Sequence, residues 1–364
     1  MQKAINTSDF FYFKKWDFTD SLKFYDGSSG YVLFDPWPGG FNNIRMSFEL
    51  AYCIAFLENR ILILPPDYEM YLSEGYSNLS DYFNTDNLGV YHQSFKDFCL
   101  NEQVPLDLNE VKKVSHTLNF DIVANVLNFE FTPVPDKFKK GRSVINKHHI
   151  FKNEKILFFD KNLLGNFYQT LYTSKLAALK KNIAKNIRYR DEIFEIAWSF
   201  IKQIGDQEFY SIHIRRNDFQ YHDLFISCER IVPLDATLYI ATDHKKLSFF
   251  KPLQKKYKVI FYDNLVSESN PLEIPKNWIP LVEQLICTRS IRFVGMKLST
   301  LSSYIFRLRG YMNDITDKNY YLNGERKLDE NQIPFLEEQR FKANWEREYK
   351  CAWDFKSKGI FVSK

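Results

Sequence analysis

Short apolar runs alternate with amphipathic stretches along this chain, and the alternation occurs in two separate regions. In the first region, apolar runs at 31–34 and 61–64 flank a stretch from about Asn43 to Glu58 whose apolar residues recur at helical spacing. Short apolar runs bounded by turn residues predict buried strands, so this region is predicted to form a strand–helix–strand unit. Such units are the building blocks of parallel sheets in α/β proteins.

The second region repeats this alternation with short connections. An amphipathic helix is predicted over 191–204, and Gly205 closes it. The βα order that follows predicts a second parallel sheet, so the predicted fold class is α/β. Strands are predicted at 209–214, 237–241, 258–262 and 290–294, and further helices at 280–288 and from about 298 to 311.

The two regions define a predicted domain organisation. The 364 residues are enough for two domains with a core each. We predict an N-terminal Rossmann-like domain over 1–175, with irregular insertions at 67–150 that are rich in Asn, Tyr and Ser. A C-terminal Rossmann-like domain follows over 176–330. Charged residues with spaced aromatics predict that 331–364 form a helical tail that packs back on the body.

Composition narrows the classes of function. The chain is 45% apolar and 26% charged, with a net charge of +4 and no long basic run, which argues against nucleic-acid binding. The five cysteines are scattered and include no CxxC pair, which argues against a disulfide framework or a cysteine zinc site. No signal peptide or membrane-spanning stretch is apparent. We therefore expect a cytoplasmic location, or the lumen of the Golgi or endoplasmic reticulum if an N-terminal anchor precedes this sequence.

The candidate chemistry begins where the predicted strand at 209–214 ends. Its apolar residues give way abruptly to Arg215, Arg216 and then Asp218. Ligands of open parallel sheets bind beyond the carboxyl ends of the strands. An arginine placed there offers a charged, planar fork of donors that suits phosphate oxygens. The segment is thus predicted to deliver Arg215 or Arg216 to an anionic ligand, and an ordinary strand with a charged loop is the alternative.

Two turns between a strand and a helix add candidate ligand-binding groups. Glycines let a backbone approach a ligand closely, and a helix N-terminus offers unpaired N–H donors. Simple N-terminal caps show the same patterns, so that interpretation stays open at both turns. The first turn comprises Gly39, Gly40, Phe41, Asn42 and Asn43, and the second comprises Gly295, Ser299 and Thr300.

Two further polar residues accompany the predicted strands of the second region. Asp243 follows a strand end and is a candidate for reading a base or ribose hydroxyl, or for capping the next helix. His213 lies within a strand and is predicted to be a core histidine with one hydrogen-bond partner. No set of His, Cys, Asp or Glu residues has the spacing of metal ligands, so no metal site is predicted.

Three ordered segments together resemble the GDP-fucose protein O-fucosyltransferase superfamily, which includes α1,6-fucosyltransferases. The turn from Gly39 to Asn43, with Arg45, is similar to the family's GG[LF]NxxR turn. The segment from His213 to Phe219 is similar to its HxRRxDF motif. Residues 283–310 are similar to its EQxIC…FxG…ST…RxRG block, and the order and approximate spacing agree over about residues 30–312.

This resemblance implies a GT-B architecture, in which two Rossmann-like domains face each other across a cleft and the C-terminal domain holds most of the donor nucleotide. It also implies inverting transfer of fucose from GDP-fucose to a protein or glycan hydroxyl, with no metal or other cofactor. The implied catalytic positions are Arg215, which contacts the diphosphate and assists its departure, and Asn43, which lies near the transferred sugar. The positions implied to bind the donor are Gly39, Gly40, Phe41, Asn42, His213, Asp243, Ser299 and Thr300.

The donor sugar, the acceptor and the base stay open at this point. A transferase for another nucleotide deoxysugar, such as a rhamnose donor, would use the same diphosphate-binding motifs. A non-catalytic sugar-nucleotide or glycan-binding relative is the alternative outside enzymes, and no motif marks the acceptor. Some family members carry a glutamate that could act as a base where this chain has Gly39. A strongly dissociative transition state would need no base, and the remaining carboxylate candidates are Asp35, Glu49 and Asp218.

Overall fold

A computed structural model shows two compact units, each built around a parallel sheet. The described residues are 11, 27, 29–34, 40–69, 75–102, 143–146, 155–159, 169–172, 176–216, 231–266, 274–296, 299–312 and 319–322. Those from Gly27 to Arg190 form the N-terminal unit, and those from Asp191 onward form the C-terminal unit together with Phe11. The division falls after the predicted junction at 175/176, so the helix that follows this junction belongs to the N-terminal unit. The predicted tail at 331–364 lies outside the described residues.

The N-terminal unit carries a four-stranded sheet in which every pair is parallel. Its strand order is β5-β2-β1-β7, while β3 and β4 form an antiparallel pair and β6 and β8 a parallel pair. The central strands are apolar and largely buried, as is usual for parallel sheets covered on both faces. The strands are β1 (Tyr31–Phe34), β2 (Ile61–Leu64), β3 (Tyr68–Glu69), β4 (Tyr76–Ser77), β5 (His92–Ser94), β6 (Ser143–Asn146), β7 (Ile156–Phe159) and β8 (Gln169–Tyr172).

Strand β5 lies within the range 67–150 that the sequence predicts to be irregular insertions. It pairs in parallel with β2, so this region supplies the edge strand of the sheet itself. Its three residues, His-Gln-Ser, are polar and partly or fully exposed. A short polar edge strand has no apolar run, and its pairing with β2 is what defines it.

The helices of the N-terminal unit are α1 (Phe41–Leu57), α2 (Phe95–Asn101) and α3 (Leu176–Asn186), with a 3-10 turn at Leu79–Asp81. Helix α1 connects β1 to β2, as predicted, and its residues from Leu50 to Leu57 are all apolar. A helix that is hydrophobic all round belongs in a core, and α1 is buried from Phe41 to Phe56 at every position except Asn43. Asn43, the one partly exposed position in this stretch, is also one of the predicted site residues.

The C-terminal unit carries a five-stranded parallel sheet with the order β11-β10-β9-β12-β13. The core on this sheet is apolar and includes Ile212, Ile214, Leu238, Ile240 and Val294. The strands are β9 (Tyr210–Ile214), β10 (Thr237–Thr242), β11 (Lys258–Ile260), β12 (Phe293–Met296) and β13 (Asn319–Leu322).

Five helices and two 3-10 turns complete the C-terminal unit among the described residues. Helix α4 has the predicted bounds because its apolar residues fall on one face and Gly205 follows it. Phe11 packs on this helix against Phe194 and Trp198. The elements are α4 (Asp191–Ile204), α5 (Lys251–Gln254), α6 (Tyr262–Leu265), α7 (Ile279–Thr288) and α8 (Thr300–Met312), with 3-10 turns at Leu247–Phe250 and Lys276–Trp278.

The predicted α/β class is confirmed, since both units consist of parallel strands connected through helices. Strand β12 differs most from its predicted bounds of 290–294, because it begins at Phe293 and continues through Gly295 to Met296. Gly295 therefore lies in the strand and not in a turn. A Cβ atom at this position would come within 2.9 Å of Ser302 and Phe306 on α8, so the glycine permits close packing of strand and helix. The cleft between domains that the GT-B architecture implies stays a prediction.

Candidate active site

Arg215 and Arg216 directly follow β9, at the carboxyl edge of the C-terminal sheet, and both are partly buried. Strand β9 lies between β10 and β12, so the carboxyl ends of these neighbours flank the two arginines. The backbone N–H of Arg216 donates to Oδ1 of Asp243 at 2.8 Å. The backbone N–H of Arg215 donates to Sδ of Met296, the last residue of β12. The structure thus brings predicted site residues from two strand ends together at the end of β9.

The side chain of Arg216 is anchored on an aromatic cluster. Its guanidinium carbon lies 3.8 Å from the centroid of the Phe249 ring, a close cation–π contact. Phe249 in turn packs edge-on against His244 and Phe250. Arg216 is therefore tied to its own unit by its backbone and by its side chain.

His213 lies in β9 with its side chain turned into the unit. It is buried, and its Nδ1 lies 2.8 Å from Oγ of Ser302, which also accepts the backbone N–H of Met296 at 2.8 Å. Burial, assisted by the charge of Arg215, lowers the pKa of His213 to about 3, so the ring is neutral at physiological pH. This is the geometry of a core histidine that links β9 to α8, and donor contact by His213 stays a prediction.

Ser299 and Thr300 stand at the start of α8, directly beyond the carboxyl end of β12. Ser299 is buried and precedes the first helical residue, and its Oγ accepts the backbone N–H of Ser302 at 3.5 Å. This contact is that of an N-terminal cap. Thr300, the first helical residue, is partly buried. The positive end of the α8 dipole and the N–H groups of its first turn favour an anion at this position.

The two arginines of the RxRG segment are buried and serve the fold. Arg309 donates from Nη1 to the carbonyl oxygens of Cys287, Thr288 and Ser290 at 2.9–3.1 Å, which satisfies carbonyl groups at the C-terminal end of α7. Burial lowers the pKa of Arg309 to about 9, and the group stays charged at neutral pH. Arg307 is also buried, with its guanidinium over the ring of Tyr304.

Glu283 is a titratable group near the carboxyl end of β10. It belongs to the motif at 283–310 but was not among the predicted site residues. It lies on α7, is partly buried, and accepts a hydrogen bond from the hydroxyl of Tyr239 at 3.2 Å. Burial raises the pKa of Glu283 to about 8, although the bonds from Tyr239 and the backbone of Thr242 oppose this shift. The sequence indicated this group only in that Glu283 is the one carboxylate of a mostly apolar helix.

In the N-terminal unit, the predicted glycine turn leads into α1. Gly39 lies outside the described residues. Gly40 is the N-terminal cap, and a Cβ atom placed on it would meet no atom within 4 Å, so open space lies in front of this helix start. Phe41 and Asn42 are buried, and Phe41 packs among aromatic rings of its own unit. Among the described residues, Oδ1 of Asn43 is buried without a hydrogen-bond partner.

A buried ion pair fixes the start of α1. Arg45 and Glu49 are fully buried, with Nε and Oε1 at 2.9 Å, and Nη1 of Arg45 donates to the hydroxyl of Tyr189 at 2.7 Å. The guanidinium also lies over the rings of Tyr189 and Phe83. Arg45 of the predicted motif therefore has a structural role. Glu49, one of the carboxylates considered as a base, is held in the same ion pair.

The described residues include neither a group placed to hold a metal ion nor a helix able to span a membrane. Within them, no group of three or more His, Cys, Asp or Glu side chains is placed to hold a metal ion. None of the described helices has the length and apolar character needed to cross a lipid bilayer.

Parallel strands whose carboxyl ends carry arginine, aspartate and a helix start are typical of α/β proteins that bind anionic ligands such as nucleotides. A family model described as GDP-fucose protein O-fucosyltransferase matches residues 31–232, which is more than half of the chain. The chain belongs to the GDP-fucose protein O-fucosyltransferase family and is a glycosyltransferase. The resemblance read from the motifs is thereby confirmed. The matched range includes the turn at 40–43 and Arg215, but not the segment at 283–310.

Several solved structures are similar to this one. POFUT1 in complex with GDP-fucose has a TM-score of 0.49 and 14% identity, with coverage of 82% of this chain and 99% of that chain. NodZ α-1,6-fucosyltransferase soaked with GDP-fucose has a TM-score of 0.48 and 12% identity, covering 79% and 93%. Fucosyltransferase NodZ from Bradyrhizobium has a TM-score of 0.45 and 13% identity, covering 78% and 93%. We transfer no residue role from these structures. No curated protein sequence matches the chain.

Proposed function

We propose that this glycosyltransferase moves fucose from GDP-fucose to a hydroxyl group of a protein or glycan, with inversion at the anomeric carbon. Membership of the family supports GDP-fucose as the donor. The observation that carries the proposal is the position of Arg215, directly beyond the central strand of the C-terminal sheet and beside the end of β12. In such sheets this is the place at which a ligand meets the protein.

Arg215 would act on the leaving group. As the bond between the anomeric carbon and the diphosphate oxygen breaks, negative charge grows on that oxygen and stays on the departing GDP. A preoriented guanidinium stabilises this charge more in the transition state than in the ground state, which is what accelerates a reaction. The N-terminal end of α8, with Thr300 as its first residue, would hold the phosphates from the side of β12.

Asn43 would contact the sugar or the incoming hydroxyl. A buried amide oxygen without a hydrogen-bond partner is costly, and Oδ1 of Asn43 has none among the described residues. A hydroxyl group of fucose or of the acceptor would supply the missing donor. The acceptor oxygen then forms its bond to the anomeric carbon on the face opposite to the diphosphate, and its proton passes to water or to the departing GDP. Because Glu49 is held in the pair with Arg45, we do not assign it as the base.

The positive charge for the diphosphate comes from the protein in this proposal. Arg215 and the dipole of α8 supply it, so we expect transfer to need no divalent metal. Activity is expected to persist in excess EDTA. Loss of activity with EDTA, and its recovery with Mn²⁺ or Mg²⁺, would contradict this part of the proposal.

The donor is tested first by thermal stabilisation with GDP-fucose, another GDP-deoxysugar such as GDP-rhamnose, and UDP-sugars. A ligand at a hundred times its dissociation constant should add about 2.7 kcal/mol to the free energy of unfolding. We expect stabilisation by GDP-fucose, and stabilisation by UDP-sugars alone would overturn the donor assignment. Inversion is tested by NMR of the released sugar before it mutarotates.

The role of Arg215 is tested with Arg215→Ala, measured as release of GDP from GDP-fucose with water as the acceptor. Loss of a contact that strengthens in the transition state should cost about 3–4 kcal/mol, or roughly two to three decades in rate. Arg215→Lys should also be slow, because a point charge does not reproduce the planar fork. Arg216→Ala removes the contact with Phe249 and leaves Arg215 in place, so it should retain much more of the rate than Arg215→Ala. An Arg215→Ala enzyme within about threefold of wild type would refute the assignment.

A further inference from the structure

Three consecutive residues at the end of β9 have backbone groups held by side chains from the neighbouring strands. The hydroxyl of Thr242 donates to the carbonyl oxygen of Ile214 at 2.7 Å. The backbone N–H of Arg215 donates to Sδ of Met296, and that of Arg216 donates to Oδ1 of Asp243 at 2.8 Å. The segment that carries Arg215 is thus clamped from the side of β10 and from the side of β12.

These three hydrogen bonds replace the hydrogen bonds of the sheet where β9 ends. Backbone N–H and carbonyl groups beyond a strand lose their ladder partners and need others. The bond to Asp243 is expected to be the strongest of the three, because its acceptor is a carboxylate. A loop without such bonds would let the guanidinium of Arg215 sample many positions, and a misplaced charge contributes little to binding or catalysis.

Asp243 is exposed, but the turn that carries it is held by hydrogen bonds. Asp243 follows Thr242, whose Oγ1 also accepts the backbone N–H of His244 at 3.1 Å. The turn after β10 is therefore braced on both sides of the aspartate. Arg216 is braced as well, because its guanidinium lies over Phe249 in the same unit. One end of the Asp243–Arg216 hydrogen bond is thus held by a strand end, and the other by an aromatic anchor.

We propose that Asp243 is a positioning residue that acts through the backbone of Arg216 to aim Arg215 at the diphosphate. This inference rests on the proposed function, in which Arg215 contacts that group. It replaces the sequence-based expectation that Asp243 reads the base or the ribose of the donor. Asp243 then contributes to the recognition of GDP without touching it.

The test compares the binding of GDP and GMP by calorimetry, which needs no acceptor. Arg215 acts on the diphosphate, so Arg215→Ala should weaken GDP and leave GMP nearly unchanged. Asp243→Ala should do the same to a smaller extent, about five- to tenfold for GDP. Asp243→Asn keeps an oxygen that accepts the N–H of Arg216, so it should retain GDP affinity within about threefold of wild type. Glu195→Ala removes an exposed carboxylate of α4 and serves as the charge control.

The double variant Arg215→Ala/Asp243→Ala separates the two possible roles of the aspartate. If Asp243 acts only through Arg215, the second substitution has no further effect on GDP. Equal weakening of GDP and GMP by Asp243→Ala, or additive losses in the double variant, would mean that Asp243 binds the nucleotide itself. No loss in Asp243→Ala, or the same loss in Asp243→Asn as in Asp243→Ala, would also overturn the proposal.

The outcomes for the two single variants distinguish a failure of this inference from a failure of the proposed function. If Arg215→Ala binds GDP as wild type does, the assignment of Arg215 fails, and the inference falls with it. If Arg215→Ala loses GDP while Asp243→Ala does not, only the inference fails. Thermal unfolding of each variant shows whether a loss of affinity comes with a loss of fold.

Discussion

At the residue scale, burial decides the protonation of two groups beside the carboxyl edge of the C-terminal sheet. His213 has a pKa of about 3 and Glu283 a pKa of about 8, so both are mainly uncharged near pH 7. Neither group therefore adds a full charge next to Arg215. The charge that meets a ligand at this edge comes mainly from the arginine segment, which is what the proposed stabilisation of a departing diphosphate requires.

Glu283 gives a prediction for the dependence of stability on pH. Its pKa is about 8 in the folded chain, against 4.5 for an ordinary glutamate. The folded state therefore keeps a proton that the unfolded state loses, and this contribution is complete below about pH 4.5 and lost as the pH rises to about 8. Glu283→Gln cannot ionise, so its stability relative to wild type should rise over this range, by more than about 1 kcal/mol.

Urea unfolding at pH 5, 7 and 8.5 measures this difference. Glu195→Gln is the control, because it changes an exposed carboxylate in the same unit. Asp206→Asn is unsuitable, because Asp206 pairs with Arg289. Parallel pH profiles for wild type and Glu283→Gln would show that Glu283 is ionised in the folded chain.

At the element scale, a buried arginine connects helices α7 and α8. Arg309 of α8 donates to three carbonyl oxygens at and just beyond the end of α7, and that of Cys287 also accepts from the hydroxyl groups of Ser211 and Ser290. Arg309→Met keeps much of the volume but removes the donors, and it should destabilise the chain by about 3–5 kcal/mol. Arg292→Met is the matched control. Its guanidinium is partly buried and donates to the carbonyl oxygen of Ile231, so the cost should be smaller than that of Arg309→Met.

Thermal unfolding of the two variants decides this point. The larger loss should belong to Arg309→Met, and activity per folded molecule should change little in either variant. Equal losses would show that the helix end of α7 finds other donors.

At the scale of the whole molecule, the distribution of groups over the two units predicts a division of labour. Arg215, Ser299 and Thr300 belong to the C-terminal unit, and Asn43 belongs to the N-terminal unit. Ser299→Ala with Thr300→Ala should therefore weaken GDP, whereas Asn43→Ala should spare GDP and slow transfer. Calorimetry with GDP and a turnover assay on the same samples measure both effects. If Asn43→Ala loses GDP and the double variant keeps it, the nucleotide belongs to the other unit.

Much of the fold was predictable because it depends on local patterns. The apolar runs of β1, β2 and β9 and the one-sided pattern of α4 appear in the sequence as they appear in the structure. Strands and helices that bury one face or both must carry this periodicity, since the burial of apolar side chains is the main driving force of folding. The arginines after β9 were predictable for the same reason, as they mark the place where an apolar strand ends.

What the sequence determined on its own was thus the α/β class, the order of most elements and the family with its arginine motif. Only the tertiary structure decided which charged residues are buried, as for Arg45 and Arg309, and that β5 completes a sheet. It also decided that Asp243 meets the backbone of Arg216. These contacts join residues far apart in the chain. Hydrogen bonds and desolvation depend on distance in space, and the periodicity of a sequence records only which face of an element is apolar.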